Sequence, residues 1–170
     1  MFQIVPMQPS QLDDVQRVQR QAYPPVLWED NNALAQKQQL SASTCWVAHN
    51  TQGDLVAYIL SHPWPKQSIP KLNTVLPNLP DDSELLYIHD VAVHPAWHGQ
   101  GLAQQLLAGV QKVAVDLALS GMALVAVQGA QPFWRKQGFV TEPHIQTLLH
   151  DSLRVYGDDA VYMAANFSRF

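Results

Sequence analysis

The run Val91-Ala92-Val93-His94-Pro95-Ala96-Trp97-His98-Gly99-Gln100-Gly101-Leu102-Ala103-Gln104 puts an apolar stretch, a turn with two glycines and the start of a helical pattern in direct succession. Gly99 and Gly101, with the small Ala103, let the backbone turn tightly and come close to a ligand. A helix that begins there presents unpaired N–H groups and the positive end of its dipole. That suits a phosphate or pyrophosphate, although a glycine pair also serves as a plain connection. Two nucleotide patterns are excluded: G-x-x-x-x-G-K-[ST] is absent, and the third glycine of the dinucleotide fingerprint is missing. Just upstream stands His89, whose imidazole, with an unperturbed pKa near ~6.5, suits a general base at neutral pH. The alternative is a hydrogen-bonded histidine in a buried strand. His94 and His98 bracket H-P-A-W-H as if to hold a metal, but no glutamate follows His94 and Pro95 prevents a shared helical face, so no metal is expected. Trp28 beside Glu29 and Asp30 offers either core packing or a cation–π and charge contact for an amine. Cys45, the one cysteine, has no partner for an intrachain disulfide and is expected to be inert core.

These residues need elements to hold them. Phe2 to Val5 reads as a first strand. Ser10 and Asp13 form an S-x-x-D capping pattern before Leu12, Val15, Val18 and Ala22, which predicts an amphipathic helix stopped by Pro24-Pro25. A second helix is predicted from Asp30 to Leu40, with a thin apolar face of Leu34, Ala35 and Leu40. Thr44–His49 and Leu55–Leu60, joined by Asn50-Thr51-Gln52-Gly53, read as a hairpin. From Ser61 to Ser83, Pro63, Pro65, Pro70, Pro77 and Pro80 break any period, and a loop of that length is more often functional than accidental. Leu85 to Val93 reads as a central strand. Alternation places Tyr87, His89, Val91 and Val93 on one face and Ile88, Asp90 and Ala92 on the other, which makes Asp90 a structural partner. A long helix follows the turn, with Leu102, Leu106, Val110, Val113 and Leu117 along one side and Gly121 as its end. Met122–Val127 is a further buried strand, Gln131–Gln137 a short helix, Phe139–Val140 the start of a strand, and Ala160–Ala164 the last strand.

The chain has 170 residues, which predicts one domain over residues 1–170. With 47% hydrophobic and 14% charged residues it has the material for a core, so disorder is excluded. A net charge of −4 argues against a nucleic-acid partner. No apolar run approaches the ~18 residues of a membrane span, and the N-terminus has no basic region followed by an apolar stretch. A cytoplasmic protein, monomer or homodimer, with no nucleic-acid or membrane partner is expected.

His98-Gly99-Gln100-Gly101-Leu102-Ala103, after Val91-Ala92-Val93-His94-Pro95, resembles the R/Q-x-x-G-x-G/A pyrophosphate loop of the GNAT (GCN5-related) N-acetyltransferases. Pro132-Phe133-Trp134-Arg135-Lys136-Gln137-Gly138-Phe139 resembles that family's later F-Y-x-K-x-G-F segment. The spacing of the two segments and the element order extend the likeness over nearly the whole chain. Within the family, His89-Asp90-Val91-Ala92-Val93-His94 and the P-F-W-R-K-Q-G-F run look most like the arylalkylamine N-acetyltransferase branch. The resemblance implies an α/β (α+β) fold: a GNAT-like mixed, mostly antiparallel sheet of six to seven strands, flanked by about four helices, with splayed central parallel strands.

The resemblance further implies acetyl-CoA as cosubstrate, lying between the strands Tyr87–Val93 and Met122–Val127. Its pantetheine would bond the backbone of Val91, Ala92 and Val93, and its pyrophosphate the N–H groups of Gly99 to Gln104. His98 replaces the usual Arg or Gln at the first loop position, where its backbone amide would still serve. Phe133 and Trp134 would wall the thioester end. The family's proton acceptors sit at the Tyr87 and His89 positions; both are histidines in the arylalkylamine branch, and only His89 matches. Trp134 stands where the family has a tyrosine that protonates the departing thiolate, a role indole cannot take over. The expected reaction is direct acetyl transfer to the primary amine of a small molecule, with a backbone N–H near Val91 holding the oxyanion. Acetylation of a protein or peptide and non-catalytic acyl-CoA binding remain the alternatives.

Overall fold

The structure is a computed structural model and describes residues 1–167. Its strands are β1 (Gln3–Pro6), β2 (Cys45–His49), β3 (Leu55–Trp64), β4 (Leu85–Val93), β5 (Gly121–Ala126), β6 (Val140–Thr141) and β7 (Val161–Asn166). Its α-helices are α1 (Leu12–Ala22), α2 (Asn31–Leu40), α3 (Leu102–Asp116), α4 (Gln131–Lys136), α5 (Pro143–Leu148) and α6 (His150–Leu153). One sheet runs in the order β1-β2-β3-β4-β5-β7-β6, antiparallel throughout except for β4 beside β5. This is the expected mixed fold, with two more helices than the four anticipated. The additional ones, α5 and α6, are a turn or so long and too short to leave a period in the sequence.

Each face of the sheet is covered. Leu86, Ile88, Met122 and Leu124 pack with Leu102, Leu106 and Val110 of α3 on one face. On the other, Val47, Tyr58, Leu60 and Ala92 pack with Val15 and Val18 of α1 and Leu34 of α2, and Tyr87 packs with Ala123, Tyr162 and Ile145 of α5. The inward side of α3 is Leu102, Leu106, Leu107, Val110 and Ala114. Leu117, expected on that side, lies beyond the helix end and is half exposed. Gly121 opens β5 rather than closing α3.

Local chemistry explains the other departures. Ser10 does not cap α1; a 3₁₀ turn, Pro9–Gln11, precedes it, and the Gln8 N–H donates to Gln11 Oε1 at 2.8 Å. Asp13 instead accepts from Asn31 Nδ2 at 2.7 Å. Asp30 does cap α2, accepting from the Ala33 N–H at 3.0 Å. The apolar face of α2 is thin because Lys37 and Gln38 are also buried there, each with a polar partner. The segment from Ser61 is not all loop: β3 continues to Trp64, pairing His62 with Tyr87 and Pro63 with Leu86. Beyond Leu60 no described strand pairs with β3 on its β2 side, and a strand edge of that kind tolerates a proline.

Candidate active site

The sheet opens at its centre. β4 and β5 pair only at Leu86–Met122, Tyr87–Ala123 and Ile88–Leu124, then diverge. A cavity of about 670 Å³ occupies the gap and runs from the N-terminus of α3 to the end of α1.

At the α3 end, Gly99 and Gly101 have φ of +77° and +72°, the left-handed region where a side chain costs ~1–2 kcal/mol. Gly101 caps α3, and Leu102, Ala103 and Gln104 begin it, leaving their N–H groups without intrahelical partners beside the cavity. His98 differs from expectation. Its backbone N–H already donates to Pro95 O at 3.3 Å, and its Nε2 lies 3.0 Å from Val93 O. His94 Nδ1 accepts from the Ala96 N–H at 3.1 Å, so both histidines of H-P-A-W-H bond locally.

Along the cavity, Val91, Ala92 and Val93 all line the wall. The His94 N–H donates to Val56 O of β3, so alternation turns the backbone of Ala92 to β3 as well and that of Val91 and Val93 to the open side. Of the three expected backbone contacts, Ala92 is therefore already paired. The Val91 carbonyl accepts from the Tyr23 hydroxyl at 2.6 Å. Phe133 and Trp134 of α4 form the opposite wall. Trp134 is buried and meets Phe133 and Phe139 edge to face at 5.0 and 5.2 Å, which makes it as much core as wall.

Strict alternation fails in β4. Leu60 pairs with Asp90 and Ser61 with Ile88, so His89 is an extra residue, a bulge. His89 and Asp90 consequently turn to the same side, and Val91 and Val93 join the α3 side. This corrects the two-face assignment, which set Tyr87, His89, Val91 and Val93 together. Asp90 accepts from the Tyr58 hydroxyl and from Gln19 Nε2, the latter at 3.2 Å. Burial raises its carboxyl above the usual range despite these donors, which lower it.

The His89 ring is buried, with Nε2 on Glu29 Oε1 and Nδ1 without a partner. Glu29 Oε2 accepts from Lys37 Nζ at 2.8 Å and from the Asn73 N–H at 3.0 Å. Burial alone would raise the Glu29 carboxyl, but the charges and hydrogen bonds of His89 and Lys37 outweigh it and bring it down to about 2. Glu29 is thus ionised and accepts, which puts a proton on His89 Nε2; in the neutral ring the lone pair is then on Nδ1. Tyr87 is fully buried and does not line the cavity; burial, with Tyr156 and Tyr162 nearby, pushes its phenol far up. The rings of His62, Tyr87 and His89 cluster within 6.0 Å of one another. Trp28 faces Arg20 at 5.4 Å and donates its indole N–H to Tyr23 O, so its cation is internal. Cys45 is buried away from the cavity, and burial pushes its thiol up to about 12. Among the described residues no group of three or more His, Cys, Asp or Glu is placed to hold a metal.

Residues 12–139 match the family described as "Acetyltransferase (GNAT) family". The chain belongs to that family. The family is one of acetyltransferases. A curated relative, an uncharacterized ycf52-like N-acetyltransferase of Prochlorococcus marinus, is 36% identical over 56 residues, a match spanning 33% of this chain and 31% of that one. GNAT folds superpose closely. The loading GNATL domain of CurA from Lyngbya majuscula has a TM-score of 0.72 at 12% identity, with 100% of both chains covered. Ard1 from Thermoplasma volcanium has 0.70 at 14%, with 97% of each chain covered. A GNAT acetyltransferase from Brucella melitensis, solved with acetyl-CoA, has 0.61 at 14%, covering 98% of this chain and 88% of that one. At these identities the likeness establishes the fold.

Sequence reasoning missed Glu29 as the partner of His89, along with Lys37, His62, Leu72 and Tyr156. One signal was legible: Lys37 follows Ala33 and Leu34 at helical spacing, so it points inward and needs a buried anion. Tyr156 and Leu72 follow no period, and only the fold brings them to the cavity.

Proposed function

We propose that this GNAT enzyme transfers the acetyl group of acetyl-CoA to the primary amine of a small molecule, as the arylalkylamine branch does, with His89 as the base. The observation that carries the reading is a buried imidazole on the cavity wall whose Nδ1 has no protein partner. The pyrophosphate would lie on the N–H groups of Gly99 to Gln104 and the pantetheine along Val91 and Val93, with Phe133 and Trp134 beside the thioester. The substrate ammonium would give a proton to His89 Nδ1, directly or through water, and the freed amine would attack the thioester carbonyl. A backbone N–H near Val91 would hold the oxyanion, and the thiolate, from a thiol of pKa ~8.5, needs only solvent to protonate it. No protein nucleophile is required, and Cys45 is too remote to be one.

The amine end suits a small amine. Its wall combines Glu29 and Asp90 with Leu27, Leu72, Tyr23 and Tyr156, and among the described residues no lysine or arginine lines the cavity. The proline-rich segment lies over it, with Tyr156 donating to Pro70 O at 3.3 Å. Steady-state acetyl-CoA turnover against aryl amines, polyamines and peptides, with wild type and His89→Ala, tests the reading. His89→Ala is expected to lower kcat/KM by ~10²-fold or more near pH 7 and to flatten the acidic limb of the pH profile. An unchanged profile removes His89 from the chemistry, peptides outpacing every small amine would reassign the substrate class, and no turnover at all would favour an acyl-CoA-binding module.

A further inference from the structure

We propose that Glu29, held by Lys37, is the positioning residue of His89, and that the same carboxylate seats the proline-rich segment, so that the base is set when that segment is down. The proposal rests on the reading of His89 as the base and adds what orients it.

Both carboxylate oxygens of Glu29 are assigned. Oε1 takes His89 Nε2; Oε2 takes Lys37 Nζ and the Asn73 N–H. Side-chain exposure is 1% for His89, 2% for Glu29 and 0% for Lys37, so water does not compete for these bonds. A carboxylate that accepts from one nitrogen of a neutral ring leaves the lone pair on the other, the logic by which an acid orients a catalytic histidine. Without it, the tautomer and the ring flip are both free. A buried ion pair adds little stability over apolar residues of the same volume, whereas the orientation of His89 depends on it directly. The other titratable groups around His89 are His62 from β3, Tyr87 and Asp90 from β4, and Tyr156 after α6. None of them hydrogen-bonds its ring; Glu29 alone does so among the described residues.

The same groups hold the segment after β3. Asn73, at φ +51°, donates its N–H to Glu29 and accepts from the Asp30 N–H through Oδ1 at 2.9 Å. Thr74 O accepts from Lys37 Nζ at 3.1 Å. Leu72, between these anchors and Pro70, lies on the cavity wall. Seating the segment and fixing His89 therefore share one carboxylate and one ammonium.

Four measurements test this. Imidazole ¹⁵N shifts of the wild-type protein should show the neutral His89 ring protonated at Nε2; the neutral Nδ1–H tautomer overturns the proposal. Glu29→Gln should lower kcat at least ~10-fold, out of the ~10²–10⁴ a positioned base contributes, and move the acidic limb while KM for acetyl-CoA holds. Asn73→Gly keeps the positive φ at an exposed position and removes only the bond to Asp30. It should speed amide exchange in residues 66–84 and lower kcat/KM for the amine. Faster exchange with unchanged kcat/KM overturns the coupling. His89→Ala is the reference: if it abolishes the limb while Glu29→Gln matches wild type, the positioning role fails and the base stands. If His89→Ala itself changes nothing, the base reading fails instead.

Discussion

His62 makes the stability of this enzyme depend on pH in a calculable way. It lies on β3 opposite Tyr87, is 0% exposed, and has Nε2 without a partner while Nδ1 sits 3.1 Å from Pro63 O. Burial, and after it the charge of His89, lower its imidazole to about 3. In the unfolded chain a histidine titrates near ~6.5. Between those values the unfolded chain binds a proton that the folded chain refuses, so stability falls as pH falls, by up to ~1.4 kcal/mol per pH unit. From pH 7 to pH 5 the loss is ~2 kcal/mol, and over the full window it approaches ~5 kcal/mol. The figure at pH 5 needs only a folded value well below 5. Glu29, lowered to about 2, loses its contribution as pH falls below the unfolded value near ~4.3, outside the pH 7 to 5 interval. Asp90, raised, acts with the opposite sign. Both remain in a His62→Asn protein, whose amide can still donate to Pro63 O, so the difference between the two proteins isolates His62. The difference in unfolding free energy between the two proteins, from urea titrations at pH 7, 6 and 5 and constant ionic strength, should change by ~2 kcal/mol, wild type losing more. Parallel curves would refute the reasoning, because His62 would then be titrating in the folded protein as it does in the unfolded one.

Two further substitutions test the walls of the cleft. At Gly101 the nearest atom to an added Cβ is Gln105 Nε2 at 4.0 Å, so the obstacle is the backbone angle rather than space. Gly101→Val should therefore leave the fold intact by circular dichroism yet weaken acetyl-CoA binding at least ~10-fold by calorimetry, as the strained turn moves the first N–H groups of α3; unchanged affinity would take the cosubstrate off this loop. Trp134, packed against Phe133 and Phe139, should cost ~3–5 kcal/mol of stability as Trp134→Ala in denaturant, while Trp134→Phe keeps kcat within ~10-fold. A fall of ~10² for Phe, with binding intact, would mean that the indole N–H takes part in the chemistry.

What the sequence revealed divides along a physical line. β4 and the start of α3 were legible because an apolar run, two glycines and a helical period are local signals, and the bounds Leu85–Val93 and Leu102 came out as read. The extension of β3 to Trp64 was hidden by Pro63 and Pro65, which mark a loop unless one knows that no described strand pairs along the far edge. Glu29 looked like half of a surface amine site with Trp28 and Asp30. Of its partners, Lys37 lies 8 residues away and left a local signal, whereas His89 and Asn73 lie 60 and 44 residues away, a separation at which local reasoning has nothing to act on. Asp90 was placed on the wrong side for a different reason: period 2 is a property of regular strands, and one inserted residue inverts it.

That inserted residue also explains why the cleft opens where it does. Ile88 is the last residue of β4 paired with β5, and His89, the next, is the residue β3 leaves unmatched. A bulge bends its strand and increases the local twist, so β4 turns away from β5 at the point where it gains a residue against β3. Upstream, Leu86 and Ile88 face α3; downstream, Val91 and Val93 do, and the exchange of parity puts His89 and Asp90 side by side on the face of α1 and α2. One irregularity thus opens a gap on one edge of the strand, turns the Val91 and Val93 backbone toward it, and sets His89, the proposed base, at its inner end. Glu29 and Lys37 then hold an imidazole that a regular strand would have aimed elsewhere. The loss of sheet regularity at His89 and the proposed capacity to deprotonate an amine there thus have the same structural cause.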